Sequence, residues 1–107
     1  MDGKESAFSK ANALNPDYYV SALGLGLLQK KAGKIDAARG NLESSMKLLP
    51  TTIASYHLGE LELASGYRDK AIGYFEYAAQ DGGEIGQAAA ARLQELQPAS
   101  TATSTSP

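Results

Sequence analysis

The sequence predicts an all-α protein, a solenoid of helical hairpins, and two observations predict it. Apolar residues recur with a period near 3.6 in six successive segments, which glycine, proline or polar capping residues separate. Landmark residues also recur at a spacing of 33, as Gly26 and Gly59 do, and likewise Gly33 and Gly66. A fixed period of this length with two helices per unit is typical of a helical solenoid.

Half a repeat opens the chain, over residues 4–16. Phe8 precedes Leu42 by 34 residues, so it is predicted to face the core from a helix over about residues 5–14. Pro16 ends that helix, because proline disfavours helical geometry in the residue before it. Since the chain starts on half a unit, we expect it to be a piece of a longer protein.

The first complete repeat covers residues 17–50. Asp17 is expected to cap a helix over about residues 18–31, which is apolar almost all round and so is either buried on several sides or part of a binding surface. Gly33 then turns the chain into a second helix over about residues 35–49. Its predicted inward side chains are Ala38, Leu42, Met46 and Leu49.

The second complete repeat covers residues 51–83. Helices are predicted over about residues 52–65 and 68–80, with a threonine capping the first and Gly66 reversing the chain between them. Gly59, like its counterpart 33 residues earlier, is expected to let the paired helices approach closely. The residues predicted to meet between these two helices are Leu58, Leu61, Ala71, Ile72, Phe75 and Ala78.

A last helix and a tail complete the chain. Residues 84–97 are predicted to form an alanine-rich capping helix that shields the open end of the array, with Ile85, Leu93 and Leu96 for contact. Residues 98–107, PASTATSTSP, contain no side chain able to anchor a core, so they are predicted to be a disordered Ser/Thr/Pro tail.

Over roughly residues 4–97 the pattern resembles the tetratricopeptide repeat (TPR) family. The resemblance implies a TPR-like solenoid of about two and a half repeats plus a capping helix, used as a scaffold that binds other proteins. The chain departs from the family pattern in having no tryptophan, in Ser45 and in Gly83. The matching residues are Leu25-Gly26, Gly33, Ala38, Leu42 and Pro50 in one unit, and Leu58-Gly59, Gly66, Ala71, Phe75 and Ala78 in the next.

Composition excludes several functional classes. A net charge of −2 argues against a nucleic-acid binder, and the lack of cysteine excludes disulfides and thiolate metal sites. The longest apolar run, 22–28, is far shorter than the roughly 20 residues that span a bilayer. We therefore expect a soluble chain without membrane insertion, and the sequence leaves its compartment open between cytoplasm and bacterial cell envelope.

No catalytic or cofactor chemistry is predicted. His57 is the single histidine, so it is interpreted as a surface or packing residue rather than a ligand. Gly24-Leu25-Gly26 lacks the third glycine and the preceding strand of a dinucleotide loop. Glu60 and Glu62 are two apart, which points them to different sides of a helix. We expect no enzyme, no cofactor and no metal.

In the tetratricopeptide family the first helices of successive repeats line a concave groove for peptides or partner helices. The resemblance carries this role to ten residues. Spacings of three and four independently place seven of them on one stripe of each helix: Val20, Leu23 and Leu27, and then Ile53, Tyr56, Glu60 and Leu63. The groove residues are Val20, Leu23, Leu27, Lys30, Lys31, Ile53, Tyr56, Glu60, Leu63 and Ala64.

The chemistry of these positions favours an apolar ligand. Leu23 and Leu27 stand where family members that clamp a carboxylate have lysine and asparagine, so a carboxylate clamp is not expected. Those two leucines, Tyr56 and Leu63 are predicted to form one concave apolar patch, with Tyr56 as its anchor. Lys30, Lys31 and Glu60 are predicted to sit at the rim and tune the choice of partner.

Other interpretations remain open. The stripe could be covered by upstream repeats, by the last helix or by a second copy of the chain in a homo-oligomer. Residues 55–96 also resemble the C-terminal repeat region of zinc metalloproteases of the bacterial envelope, which implies an accessory segment of a larger enzyme. The HExxH zinc helix of that family is absent from this sequence.

Overall fold

The structure, a computed structural model, describes residues 18–97 of the 107-residue chain. These residues are all-helical and contain no strand, as predicted. The helix predicted over residues 5–14, its successor's cap at Asp17 and the tail over 98–107 lie outside the described residues. The helices are α1 (Tyr19–Lys31), α2 (Ile35–Leu48), α3 (Thr52–Ala64), α4 (Arg68–Ala79) and α5 (Glu84–Leu96).

Local signals set the helix boundaries within one residue of the prediction. Gly33 and Gly66 have φ of 83° and 90°, the left-handed conformation that ends a helix and reverses the chain. At the start of α3, the Thr51 hydroxyl accepts a hydrogen bond from the amide of Ala54 at 3.3 Å. This contact satisfies one of the free amides that every helix start exposes.

Two glycines allow the two helices of each hairpin to lie close together. A Cβ built on Gly26 would lie 2.8 Å from Cγ of Leu42, and one on Gly59 would lie 2.7 Å from Cε1 of Phe75. Both distances are far below ordinary van der Waals contact. The prediction that these glycines permit close approach of α1 to α2 and of α3 to α4 is therefore confirmed.

Hydrogen bonds from buried serines hold the same two helix pairs. The Ser45 hydroxyl on α2 donates to the carbonyl oxygen of Tyr19 on α1 at 2.9 Å. The Ser55 hydroxyl on α3 donates to the carbonyl oxygen of Tyr74 on α4 at 2.7 Å. Within each pair, residues late in one helix meet residues early in the other, so the helices run antiparallel.

The core of residues 18–97 consists of two clusters, and the first of them joins the two hairpins. Leu58 and Leu61 share their cluster with Ala38 and Leu42 of α2, and Tyr74 of α4 also packs against that cluster. The first cluster is Ala38, Leu42, Ala54, Leu58 and Leu61, and the second is Ala71, Phe75, Ala78 and Ala89.

Leu49 was predicted to face inward, and this prediction was wrong. The residue is 44% exposed because it has left the helix, with φ −156° and ψ 111°. Pro50 explains the change, since the proline ring disfavours helical geometry in the residue before it. The inward positions of Ala38 and Leu42 are confirmed, and Met46 is half-buried against the first cluster.

The last helix closes one end of the described chain. It packs mainly against α4 and also touches α3. Gly86 and Ala89 are its buried residues, and Leu93 and Leu96 pack partly against the second cluster. The Arg68 guanidinium at the start of α4 donates a hydrogen bond to the carbonyl oxygen of Leu96. Contacts between α2 and α3 join the two hairpins.

Candidate binding groove on the first helices

The predicted groove residues lie on α1 and α3, which touch each other along one side of the molecule. Val20 and Lys31 on α1 and Ala64 at the end of α3 are exposed. The others are half-buried: Leu23, Leu27, Lys30, Ile53, Tyr56, Glu60 and Leu63.

The open apolar part of this surface lies on α1. Val20 is 57% exposed, and Leu27, two turns further along the same face, is half-buried. Between them Gly24 contributes no side chain, and a Cβ built on it would meet nothing within 4 Å. Leu23 turns toward the first cluster, as Leu27 does in part. The result is an apolar face with a notch at Gly24.

Tyr56 and Leu63 belong instead to the second cluster. The Tyr56 ring meets the buried Phe75 ring edge-on, with centroids 5.6 Å apart at 62°. Its hydroxyl donates a hydrogen bond to the Glu60 carboxylate, and burial, followed by the Glu60 charge and that bond, raises the pKa of Tyr56. Both the ring and the hydroxyl of Tyr56 therefore already make contacts within the chain.

The four residues expected to form one apolar patch are therefore divided. Leu23 and Leu27 pack against the first cluster, whereas Tyr56 and Leu63 pack against the second. Helix α5 shares this second cluster with Tyr56 and Leu63, because Ala89 is one of its buried members and Leu93 and Leu96 pack against it. Tyr56 and Leu63 are themselves half-buried.

Three polar side chains link α1 to α3, and we call them the polar junction: Lys30, His57 and Glu60. The Lys30 ammonium donates to Oε1 of Glu60 at 2.5 Å and to Nδ1 of His57 at 3.0 Å. Nδ1 of His57 also lies 3.6 Å from the same Glu60 oxygen. An ammonium can only donate, so Nδ1 accepts and the neutral imidazole carries its proton on Nε2.

The junction shifts the titration of two of its members. Burial lowers the pKa of His57 most, and the positive charge of Lys30 lowers it further, while the Glu60 charge opposes both. For Glu60, burial raises the pKa, but the hydrogen bond and charge of Lys30 and the bond from Tyr56 outweigh it and leave the pKa lowered. A neutral imidazole and an ionised carboxylate are therefore favoured.

Sequence reasoning placed Lys30 and Glu60 in the groove and missed that they pair with each other. It also set His57 aside because no second metal-ligating residue accompanies it. One signal was available. Ile53, His57 and Glu60 are four and three residues apart, so the histidine falls on the predicted groove stripe, 33 residues after Gly24.

Glu62 points away from the groove, as predicted from its spacing to Glu60. It is buried with its side chain 1% exposed, and Oε2 accepts a hydrogen bond from Nε of Arg39 on α2 at 3.1 Å. Arg39 also binds Asp36 and the Ser65 hydroxyl. This ion pair belongs to the contact between the two hairpins.

A second open surface on α1 was not predicted. Leu28 is 67% exposed, whereas Leu61, 33 residues later on α3, is 1% exposed beneath the first cluster. Helix α2 packs over Leu61 on α3. Within residues 18–97, no helix packs in the same way over Leu28 on α1. Together with Val20, Leu28 makes α1 the most apolar exposed helix of the described chain.

A pocket of about 400 Å³ lies elsewhere, between α2, α3 and α4. It is open to solvent and has no residue in common with the groove. Its lining residues are Met46, Ser55, Lys70, Gly73, Tyr74 and Tyr77.

Residues 18–97 hold no group of three or more His, Cys, Asp or Glu side chains placed to bind a metal ion. None of their five helices combines the length and apolar character needed to cross a membrane. The chain matches no known protein family, no curated protein and no solved structure.

Proposed function

We propose that the chain is a non-enzymatic protein-interaction module built as a TPR-like solenoid. The support for the solenoid is that several pairs of residues 33 apart share the same environment, although Leu28 and Leu61 do not. Gly33 and Gly66 both have positive φ, and Gly26 and Gly59 both abut a buried side chain of the next helix. Further pairs with matching burial are Ala38 and Ala71, Leu42 and Phe75, Ser45 and Ala78, and Gln29 and Glu62.

The single observation that carries the binding function is the open apolar face of α1. Val20 is 57% exposed beside Leu27 and the notch at Gly24, and Ile53 borders the same side from α3. A contiguous exposed apolar surface on a small domain usually belongs to an interaction site. An apolar side chain of a peptide or partner helix would fill the notch.

The charged residues of the groove have a secondary role in this proposal. Lys30 and Glu60 neutralise each other at 2.5 Å, so neither is a free charge that attracts a partner. Lys31 is exposed and is positioned to select partners by charge. Affinity would therefore come from apolar contact on α1. Tyr56 would hold α3 in place through its own contacts and would not anchor the ligand.

Self-association is the second candidate, favoured by the 67% exposure of Leu28 in addition to that of Val20. Pairing two chains through α1 would cover both leucines and both valines at once. Measuring molecular mass over a range of concentrations distinguishes the two: the first proposal expects a monomer that binds peptide, and the second expects a dimer.

The test of the first proposal begins with selection of peptides that bind the purified chain from a random peptide library. Val20→Asp should then weaken binding of the selected peptide by about tenfold or more, because it places a charge in an apolar contact. Leu49→Asp is the matched control, since Leu49 is 44% exposed outside the groove. Equal affinity of the two variants would overturn the assignment of the groove.

A further inference from the structure

The polar junction contains a histidine whose hydrogen bond depends on its protonation state. All three side chains are partly shielded, each with about a quarter of its surface exposed, and they connect two hairpins through α1 and α3. His57 accepts from Lys30 through Nδ1, which requires an unprotonated nitrogen. Its ring also meets the Tyr56 ring edge-on, with centroids 5.4 Å apart.

Protonation of His57 turns its attractive contact with Lys30 into a repulsive one and strengthens its attraction to Glu60. The imidazolium can no longer accept from Lys30, and two positive charges then face each other across 3.0 Å. Attraction to Glu60 acts over the longer 3.6 Å, and that carboxylate oxygen is already bound by Lys30 at 2.5 Å. The repulsion acts at the shorter distance, so Lys30 and His57 must separate.

We propose that the polar junction is a pH-sensitive contact between the two hairpins, in which protonation of His57 releases Lys30 and loosens α1 from α3. The charged and titratable groups around His57 are Lys30 from α1, and Tyr56 and Glu60 from its own helix. From α5, Arg92 and Glu95 act on the adjacent Tyr56. The inference does not depend on what the groove binds.

The sign of the pH dependence follows from the direction of the shift. The folded pKa of His57 is below its ordinary value of 6.5, so the unfolded chain takes up the proton first as pH falls. The junction contributes stability above pH 6.5, and that contribution is lost as pH drops from 6.5 through the folded pKa. The equilibrium constant for folding falls about tenfold in total for each unit by which the folded pKa of His57 lies below the unfolded pKa.

A first experiment measures the titration of His57 directly. The chain has a single histidine, so its imidazole proton signals in an NMR titration are unambiguous. We expect the wild-type pKa to lie below 6.5. In Lys30→Met it should rise, because the positive neighbour is gone and Glu60 remains. In Lys31→Met, the matched control one residue along, it should not change. An unchanged His57 pKa in Lys30→Met would overturn the proposal.

A second experiment measures loosening of the helices. Amide protection factors in α1 and α3 are compared at about pH 7.5 and about pH 5 in the wild type and in His57→Asn, whose carbonyl oxygen replaces Nδ1 as an acceptor that does not titrate in this range. The wild type should lose more protection in acid than the variant does. Equal losses in both proteins would show that the junction is not the pH-sensitive element, whatever the groove binds.

Discussion

Gly59→Ala tests the packing of the hairpins most sharply, because two effects of opposite sign compete. Alanine in place of glycine inside a helix stabilises it by about 1 kcal/mol. At Gly59, however, the new Cβ would lie 2.7 Å from Cε1 and 2.9 Å from Cδ1 and Cζ of Phe75. Contacts between carbon atoms are normally about 3.5–4.0 Å, so the helices or the ring must move by about 1 Å.

The buried ring decides the sign. Phe75 is fully buried in the second cluster, so its ring can move only if its neighbours move as well. Overpacking of this kind costs about 1–3 kcal/mol, which equals or exceeds the gain in helix propensity. Subtracting that gain from the cost, we expect Gly59→Ala to destabilise the fold by up to about 2 kcal/mol, or by up to about 8–16 °C in unfolding midpoint for a domain of this size.

Gly73→Ala is the matched control on the partner helix α4. A Cβ there meets nothing within 4 Å, so only the propensity term remains and stability should rise by up to about 1 kcal/mol. Urea and thermal unfolding followed by circular dichroism measure both variants. If Gly59→Ala gains as much stability as Gly73→Ala, the close packing of α3 on α4 is refuted. Gly59→Ala should also cost less in a Phe75→Leu background.

Three further predictions concern other contacts. Tyr56→Ala should lower the free energy of unfolding by about 1–3 kcal/mol in urea melts, because it removes the edge-on contact with Phe75; an unaltered melt would return Tyr56 to the role of a free ligand anchor. Arg39→Met should cost on the order of 3 kcal/mol at neutral pH by leaving buried Glu62 unpaired, and adding Glu62→Gln should recover part of that loss in the same assay. Deletion of residues 99–107 should leave the thermal midpoint unchanged, since they contain only small and polar side chains; a drop of several degrees would contradict this.

The sequence by itself determined the features that depend on neighbours along the chain. The five helices of residues 18–97 follow its periodic apolar pattern, and Gly33 and Gly66 adopt the left-handed turns that only glycine takes readily. The close approach at Gly26 and Gly59 was also predictable, because the same small residue recurs at the same place in both hairpins. Each of these depends on backbone geometry or on the period, which a linear pattern records.

Tertiary structure alone decided which neighbour each side chain meets. Leu58 joins the cluster that contains residues of α2, whereas Tyr56 packs against the cluster formed by α4 and α5, and the spacing of residues within α3 does not say which helix lies on either side. The polar junction likewise joins Lys30 to residues 27 and 30 positions later. A helix turns about 100° per residue, so a modest change in where the neighbouring helices lie exchanges one contact for another. Those positions depend on the packing of all five helices together, which no single segment encodes.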